Sequence, residues 1–261
     1  MIGWKRWKEE VAGMTGVEIL IVTAVFSVAS FLNMVVGFGF GLIATPLMTI
    51  LWGPKVAVLF VTAASFLLRV AMLPMSLKHM QVPVVVTAVA GVILGAFPGS
   101  YLLKIIDNSD LKIFLGLVLL GAAYLMIRSV RLPIQNVTLG RFLAGLGCGF
   151  FSACTTIGGP PLALWFINES MERHAMRSNL IWIFACSTGL TLVGSAYMGT
   201  IKVLSSPMDF LYTIPGLVIG YLVGGYCFEK INKQLFTWIV QGVVVFGAIS
   251  SLVSGIMGKM G

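Results

Sequence analysis

The chain has 261 residues, of which 58% are hydrophobic and only 10% charged, with a formal net charge of +8 and a mean hydropathy of +1.00. Ordinary soluble domains carry about 25% charged residues, so a water-solvated core of this length is excluded. The 17 Lys and Arg residues are scattered over short loops at the ends of apolar runs. There is no basic stripe, which argues against a nucleic-acid partner and fits contact with lipid headgroups.

Residues 1–16 form a basic N-terminal segment carrying Lys5, Arg6 and Lys8. No small-residue cleavage site precedes the glycine-rich stretch that follows, so the segment reads as a topology signal and not as a cleavable signal peptide. A first repeat, residues 17–130, carries apolar runs at Val17–Val36, Val56–Leu73, Val82–Leu103 and Ile113–Ile127. A link at residues 131–140 contains Pro133. The second repeat, residues 141–261, carries runs at Phe142–Ile157, Met176–Met198, Leu211–Phe228 and Leu235–Met257. Each run approaches the roughly 20 residues that cross a bilayer. Two shorter pieces, Leu42–Trp52 and Leu162–Ile167, follow glycine breaks. The expected fold is therefore an all-α integral membrane protein of about eight transmembrane segments, two four-segment repeats each opening with a Gly/Pro-broken helix.

The shorter pieces are about half the thickness of a hydrocarbon core, so the second arm of each break either continues across or turns back. Turning back makes the halves inverted; continuing makes them parallel. With all eight segments crossing, nine basic residues lie on the terminal side and seven, Arg177 among them, on the other. That balance does not arbitrate, and only the Lys5 to Lys8 cluster leans toward a cytoplasmic N-terminus.

The breaks read Gly37-Phe38-Gly39-Phe40-Gly41, with Thr45 and Pro46 one turn on, and Thr155-Thr156-Ile157-Gly158-Gly159-Pro160-Pro161. Paired interruptions at corresponding places in two halves point to a substrate site in a transporter. Glycine lets backbone approach a ligand, and Pro160 and Pro161 suit the first turn of a second arm. The helix N-terminus so created favours an anion. Gly158, Gly159 and the hydroxyls of Thr155 and Thr156 are candidate donors, matched by Gly39, Phe40 and Gly41. Such a pair of cradles needs no buried lysine or arginine. Valine at Gly158 or Gly159 is expected to abolish ligand binding while leaving the chain folded. Against this stands the use of membrane glycines in close helix packing.

Arg69 is the one full charge well inside an expected span and is a functional candidate by default, although snorkelling to the nearby end would also explain it. Asn33, Asn179, Ser65, Ser187, Thr188 and Gln241 either line a cavity or make hydrogen bonds between helices. His174 reads as part of a solvated loop. The four cysteines, Cys148, Cys154, Cys186 and Cys227, sit inside apolar runs without metal-ligand spacing, and no cofactor or metal is expected. No Asp or Glu falls inside a span, which argues against carboxylate-based cation sites. A coupling ion would be H+ carried with the substrate or Na+ held by carbonyls freed at the breaks.

At these residues the chain resembles the TauE/SafE family, the sulfite exporter or TSUP transporters. The family's first-half pattern, G-x-G-G-G followed by four residues and a proline, stands here as Gly37-Phe38-Gly39-Phe40-Gly41 with Pro46, departing only at Phe40, which narrows the first cradle. Ile157-Gly158-Gly159-Pro160-Pro161-Leu162 is similar to its second-half glycine motif. The resemblance covers essentially the whole chain. It implies secondary transport, with export the expected direction, of small sulfur-containing or organic anions such as sulfite or sulfonates across the bacterial inner membrane. A passive anion channel and a non-transporting assembly partner are the other readings. A membrane enzyme is disfavoured, because the spans hold no acid pair, metal cluster or Ser/His arrangement.

Overall fold

A computed structural model describes residues 16–52, 54–105, 108–128, 136–155, 157–197, 211 and 213–260. Every described regular element is helical: α1 (Gly16–Val36), α2 (Phe40–Trp52), α3 (Pro54–Ser76), a 3-10 turn (Leu77–His79), α4 (Val82–Ile105), α5 (Asn108–Ile127), α6 (Val137–Thr155), α7 (Gly159–Asn168), α8 (Arg173–Tyr197), α9 (Ile214–Lys230) and α10 (Lys233–Met260). A helix covers most of the described residues of each of the eight apolar runs, and each short piece after a break lies in a separate short one. Among the described residues, four stretches are long and apolar enough to cross a bilayer: Gly16–Val36, Ala57–His79, Val82–Gly99 and Gln234–Lys259, with Val137–Ala153 a shorter apolar helix.

The surface of the bundle carries many large apolar side chains. Val17, Leu20, Phe97, Val193 and Trp238 are all well exposed, whereas Asn33, Ser65, Arg69 and Asn179 are buried. That distribution suits hydrocarbon outside and paired polar groups inside. The protein is a multi-pass integral membrane protein.

Glycine spacing decides which helices touch. On α4, Gly91, Gly95 and Gly99 recur every four residues and lie on the backbone of α6 at Phe142, Leu146 and Phe150. Gly145 and Gly149 of α6 answer by lying on Ala88 and Val92. On α9, Gly216, Gly220 and Gly224 likewise form a row against α1 at Thr23, Ser27 and Phe31. Residues four apart share one helix face, and glycine there lets backbones approach as membrane helix pairs require. Ser30 fastens the second contact by donating to the Leu217 carbonyl (2.8 Å). Other extensive contacts join α3 to α8 and α5 to α10.

The second break is a hairpin. Glu169, just past the end of α7, forms an ion pair with Arg141 near the start of α6, and Trp165 packs on Gly140. α7 therefore runs back along α6. In the first break α2 packs on both α1 and α3, and Phe40 meets Phe26 edge to face at 5.6 Å.

Candidate functional site

Both breaks form where the sequence places them, for different local reasons. Gly37 (φ 86°) and Gly39 (φ 101°) adopt left-handed backbone, a region that costs other residues a steric clash. Gly37 N–H still closes on the Asn33 carbonyl at 2.8 Å. Gly158 needs no unusual angle (φ −98°, ψ −3°); it is small because a β-carbon there would overlap Ser152 Oγ and lie 2.5 Å from the Cys148 carbonyl. Pro160 is in the first turn of α7 as expected. The two breaks meet directly, with the buried Phe38 ring occupying the space that a side chain on Gly159 would need.

Beside them lies a polar cavity of about 30 Å³. α3 lines it with Thr62, Ser65 and Arg69, α8 with Ser187, Thr188 and Thr191, and Gly41 and Ser152 bring in the two broken helices. Arg69 is 4% exposed. Its apolar stretch continues to His79, past the Leu73 end expected from sequence, so it sits near the middle of the stretch and does not snorkel. One Nη donates to Asn33 Oδ1 (3.2 Å), and the guanidinium lies 5.1 Å from the centre of the Phe184 ring, a cation–π contact. Nε and the other Nη have no hydrogen-bond partner. Thr62, Thr188 and Thr191 donate to carbonyls of their own helices, and a hydroxyl can turn to a better acceptor without moving its helix. Such a group, a cation with two free donors ringed by hydroxyls, suits a small oxyanion.

The other sequence candidates divide. Asn33 and Gly41 join this cluster. Phe40 is fully buried against Phe26 and anchors α2 in the core. Gly37 packs on the backbone of Arg177, and Pro161 faces Gly147. Asn179 is committed elsewhere: its Oδ1 accepts the Gln81 N–H (2.8 Å) and its amide reaches Gln81 Oε1 and Met171 Sδ, so it ties α8 to the start of α4. Thr45 is half-buried. Thr156 and the side chains of Pro46, Cys154 and Thr155 lie outside the described residues. Cys148 is a buried free thiol within α6.

Sequence reading missed Thr62, Ser152, Thr191 and Arg177. The three hydroxyls are too common in membrane helices to stand out alone. For Thr191 the available signal was its place on one face of α8 with Ser187 and Thr188. Arg177 was counted as a charge at one membrane face, at the start of the Met176–Met198 run; the structure buries it within α8 at 6% exposure.

The sequence model of the family described as "Sulfite exporter TauE/SafE" matches residues 22–251. The chain belongs to the sulfite exporter TauE/SafE family. The probable sulfite/organosulfonate exporter TauE of Cupriavidus necator is 24% identical over 212 residues, covering 79% of this chain and 82% of that protein. No solved structure matches the chain. The family match spans both breaks, the cavity and every helix that lines it.

Proposed function

We propose that this TauE/SafE member is a secondary transporter exporting small sulfur-containing or organic anions, such as sulfite or sulfonates, across the bacterial inner membrane. The anion binds near mid-membrane beside the two broken helices. The observation that carries this reading is Arg69, a buried guanidinium in the middle of an apolar stretch whose Nε and one Nη lack partners. No carboxylate lies within ion-pair distance of it among the described residues. A charge at that depth is expensive without a counter-charge, and a planar guanidinium presents two parallel donors that match an oxyanion. The helix N-termini at Phe40 and Gly159 add partial positive charge. The C. necator relative, a probable sulfite/organosulfonate exporter, supplies the substrate class.

The cavity has room for about one water, so an oxyanion enters only when α3 and α8, which face each other across it, move apart. Rocking of one half against the other around a fixed site would provide that motion. The helix pairings support two such halves. Exchanging α1–α5 for α6–α10 converts the α4–α6 contact into α9–α1 and maps the α3–α8 and α5–α10 contacts onto themselves. The return of α7 along α6 favours inverted halves with hairpin breaks.

The test is sulfite counterflow in proteoliposomes, which a carrier performs and a passive channel does not. Arg69→Gln should abolish it, and Arg69→Lys, with one charge but no fork, should weaken sulfite binding by about tenfold or more. Counterflow by Arg69→Gln at the wild-type rate would overturn the proposal.

A further inference from the structure

We propose that Arg177 marks a second anion site, in a cleft at one end of the bundle, from which the substrate passes to Arg69. Its role in transport rests on the reading above, whereas its capacity to bind an anion does not. The cleft, about 250 Å³, opens where α3, the 3-10 turn, α8 and α9 meet, and holds roughly eight water volumes. Ser76, Lys78, His79, His174, Arg177 and Ser178 line it.

Arg177 is more than nine-tenths buried, and its Nε has no partner. One Nη reaches only the thioethers of Met34 (3.2 Å) and Met75 (3.8 Å), which are weak acceptors. The guanidinium sits 4.0 Å from the centre of the Phe228 ring. These contacts shelter the cation without neutralising it. The Glu229 carboxylate borders the cleft yet forms no ion pair with Arg177. Lys78 adds a second full positive charge, and the His79 and His174 rings lie 5.0 Å apart at its mouth. Among the lining residues two full positive charges, Arg177 and Lys78, therefore face one carboxylate, Glu229, which also acts on Arg177, and Ser76 and Ser178 add hydroxyls. That net positive balance concentrates a small oxyanion.

The two arginines are neighbours through consecutive residues. On α1, Asn33 accepts from Arg69 while Met34 accepts from Arg177. On α3, Met72 receives the Asn33 amide (3.5 Å) and Met75 receives Arg177. Met34 and Met75 thus contact Arg177 while Met72 contacts the Asn33 that serves Arg69, and methionine repacks more readily than other apolar residues.

Calorimetric titration of the solubilised protein with sulfite, at fixed pH and low salt, tests this. The wild type should show two sites. Arg177→Gln should leave one, Arg69→Gln should leave the other, and the double variant none. Arg177→Lys tests the same site with less disturbance to folding and should weaken the cleft site by about tenfold or more. Lys78→Gln, at an exposed position, should weaken it by about threefold. A single wild-type site that disappears with Arg69→Gln, and whose affinity Arg177→Lys and Lys78→Gln leave unchanged, overturns the second site and leaves the Arg69 reading standing. A single site that survives Arg69→Gln and is lost with Arg177→Gln supports the cleft and overturns the Arg69 reading. Absence of sulfite binding in the wild type overturns both.

Discussion

Phe38, in the first helix break, lies against Gly159, in the second, so closely that a β-carbon on Gly159 would overlap Cδ2 of its ring. One contact therefore locks together interruptions that belong to opposite halves of the chain. Because Phe38 is 1% exposed, its ring is enclosed by protein and does not reach the surface.

Gly159→Ala should consequently destabilise the fold by about 1–3 kcal/mol, the usual cost of overpacking, and Phe38→Leu in the same chain should recover part of the loss. Thermal unfolding of the two variants and the double variant measures the coupling. Additive effects would show that the contact is not what makes Gly159 necessary. Gly158→Val is expected to fail in folding as well, since its side chain would meet Ser152 and the Cys148 carbonyl. It is no clean test of ligand binding.

Asn33→Asp offers a sharper probe of the cavity. A carboxylate in place of the amide that Arg69 now contacts at 3.2 Å would pair with the guanidinium and occupy the charge that an anion needs. Sulfite affinity should fall by about tenfold or more, while the melting temperature holds or rises because a buried charge gains a partner. Retained affinity together with a raised melting temperature would show that the anion binds elsewhere.

The matched glycine rows on α4 and α9 should be comparably intolerant. A β-carbon on Gly95 would overlap the Leu146 carbonyl, and one on Gly220 the Ser27 carbonyl. In each case the obstacle is backbone and cannot rotate away. Gly95→Val and Gly220→Val should each cost about 1–3 kcal/mol or more, read as loss of the monodisperse peak in detergent. Gly121, with open space around it, is the control: alanine there should be neutral or slightly stabilising.

Outside the membrane-spanning segments, Glu172 makes stability depend on acidity. Burial works against its charge, but the backbone N–H groups of His174 (2.9 Å) and Ala175 (3.2 Å), with His174 and His79 nearby, hold its pKa below the ordinary carboxylate value. A group whose folded pKa is depressed contributes fully above its unfolded pKa, about 4.3 for Glu. It loses that contribution as pH falls through the folded value. Glu172→Gln should flatten the acid limb of a melting-temperature profile below about pH 4. An acid limb as steep as the wild type's would exclude Glu172 as its source.

Much of the architecture was legible in the sequence because a bilayer imposes so few solutions on an apolar chain. Apolar runs longer than the hydrocarbon thickness become helices, and glycine with proline ends them where the backbone must be satisfied inside protein. The helix at Gly16–Val36, the break at Gly37 to Gly39 and the start of α7 at Pro160 all follow from this. The glycine rows on α4 and α9 were equally visible, but one four-residue period does not name the helix it will meet.

The polar interior was less legible, and Arg177 of the cleft shows why. One residue inside an apolar run, an arginine reads as an interfacial charge; whether it reaches water depends on where Phe228 and Met34 lie, and both are remote in sequence. The same holds for Arg69, whose candidacy came from its run of neighbours but whose partnership with Asn33, and whose lack of a carboxylate partner among the described residues, came from the packing of α3 on α1 and α8. By itself the sequence determined that the chain is helical, membrane-embedded and twice broken, since hydropathy and backbone sterics act locally. Only the tertiary structure decided which polar groups are sealed away from water and which face one another, because burial and unpaired charge are properties of the packed bundle and not of any one segment.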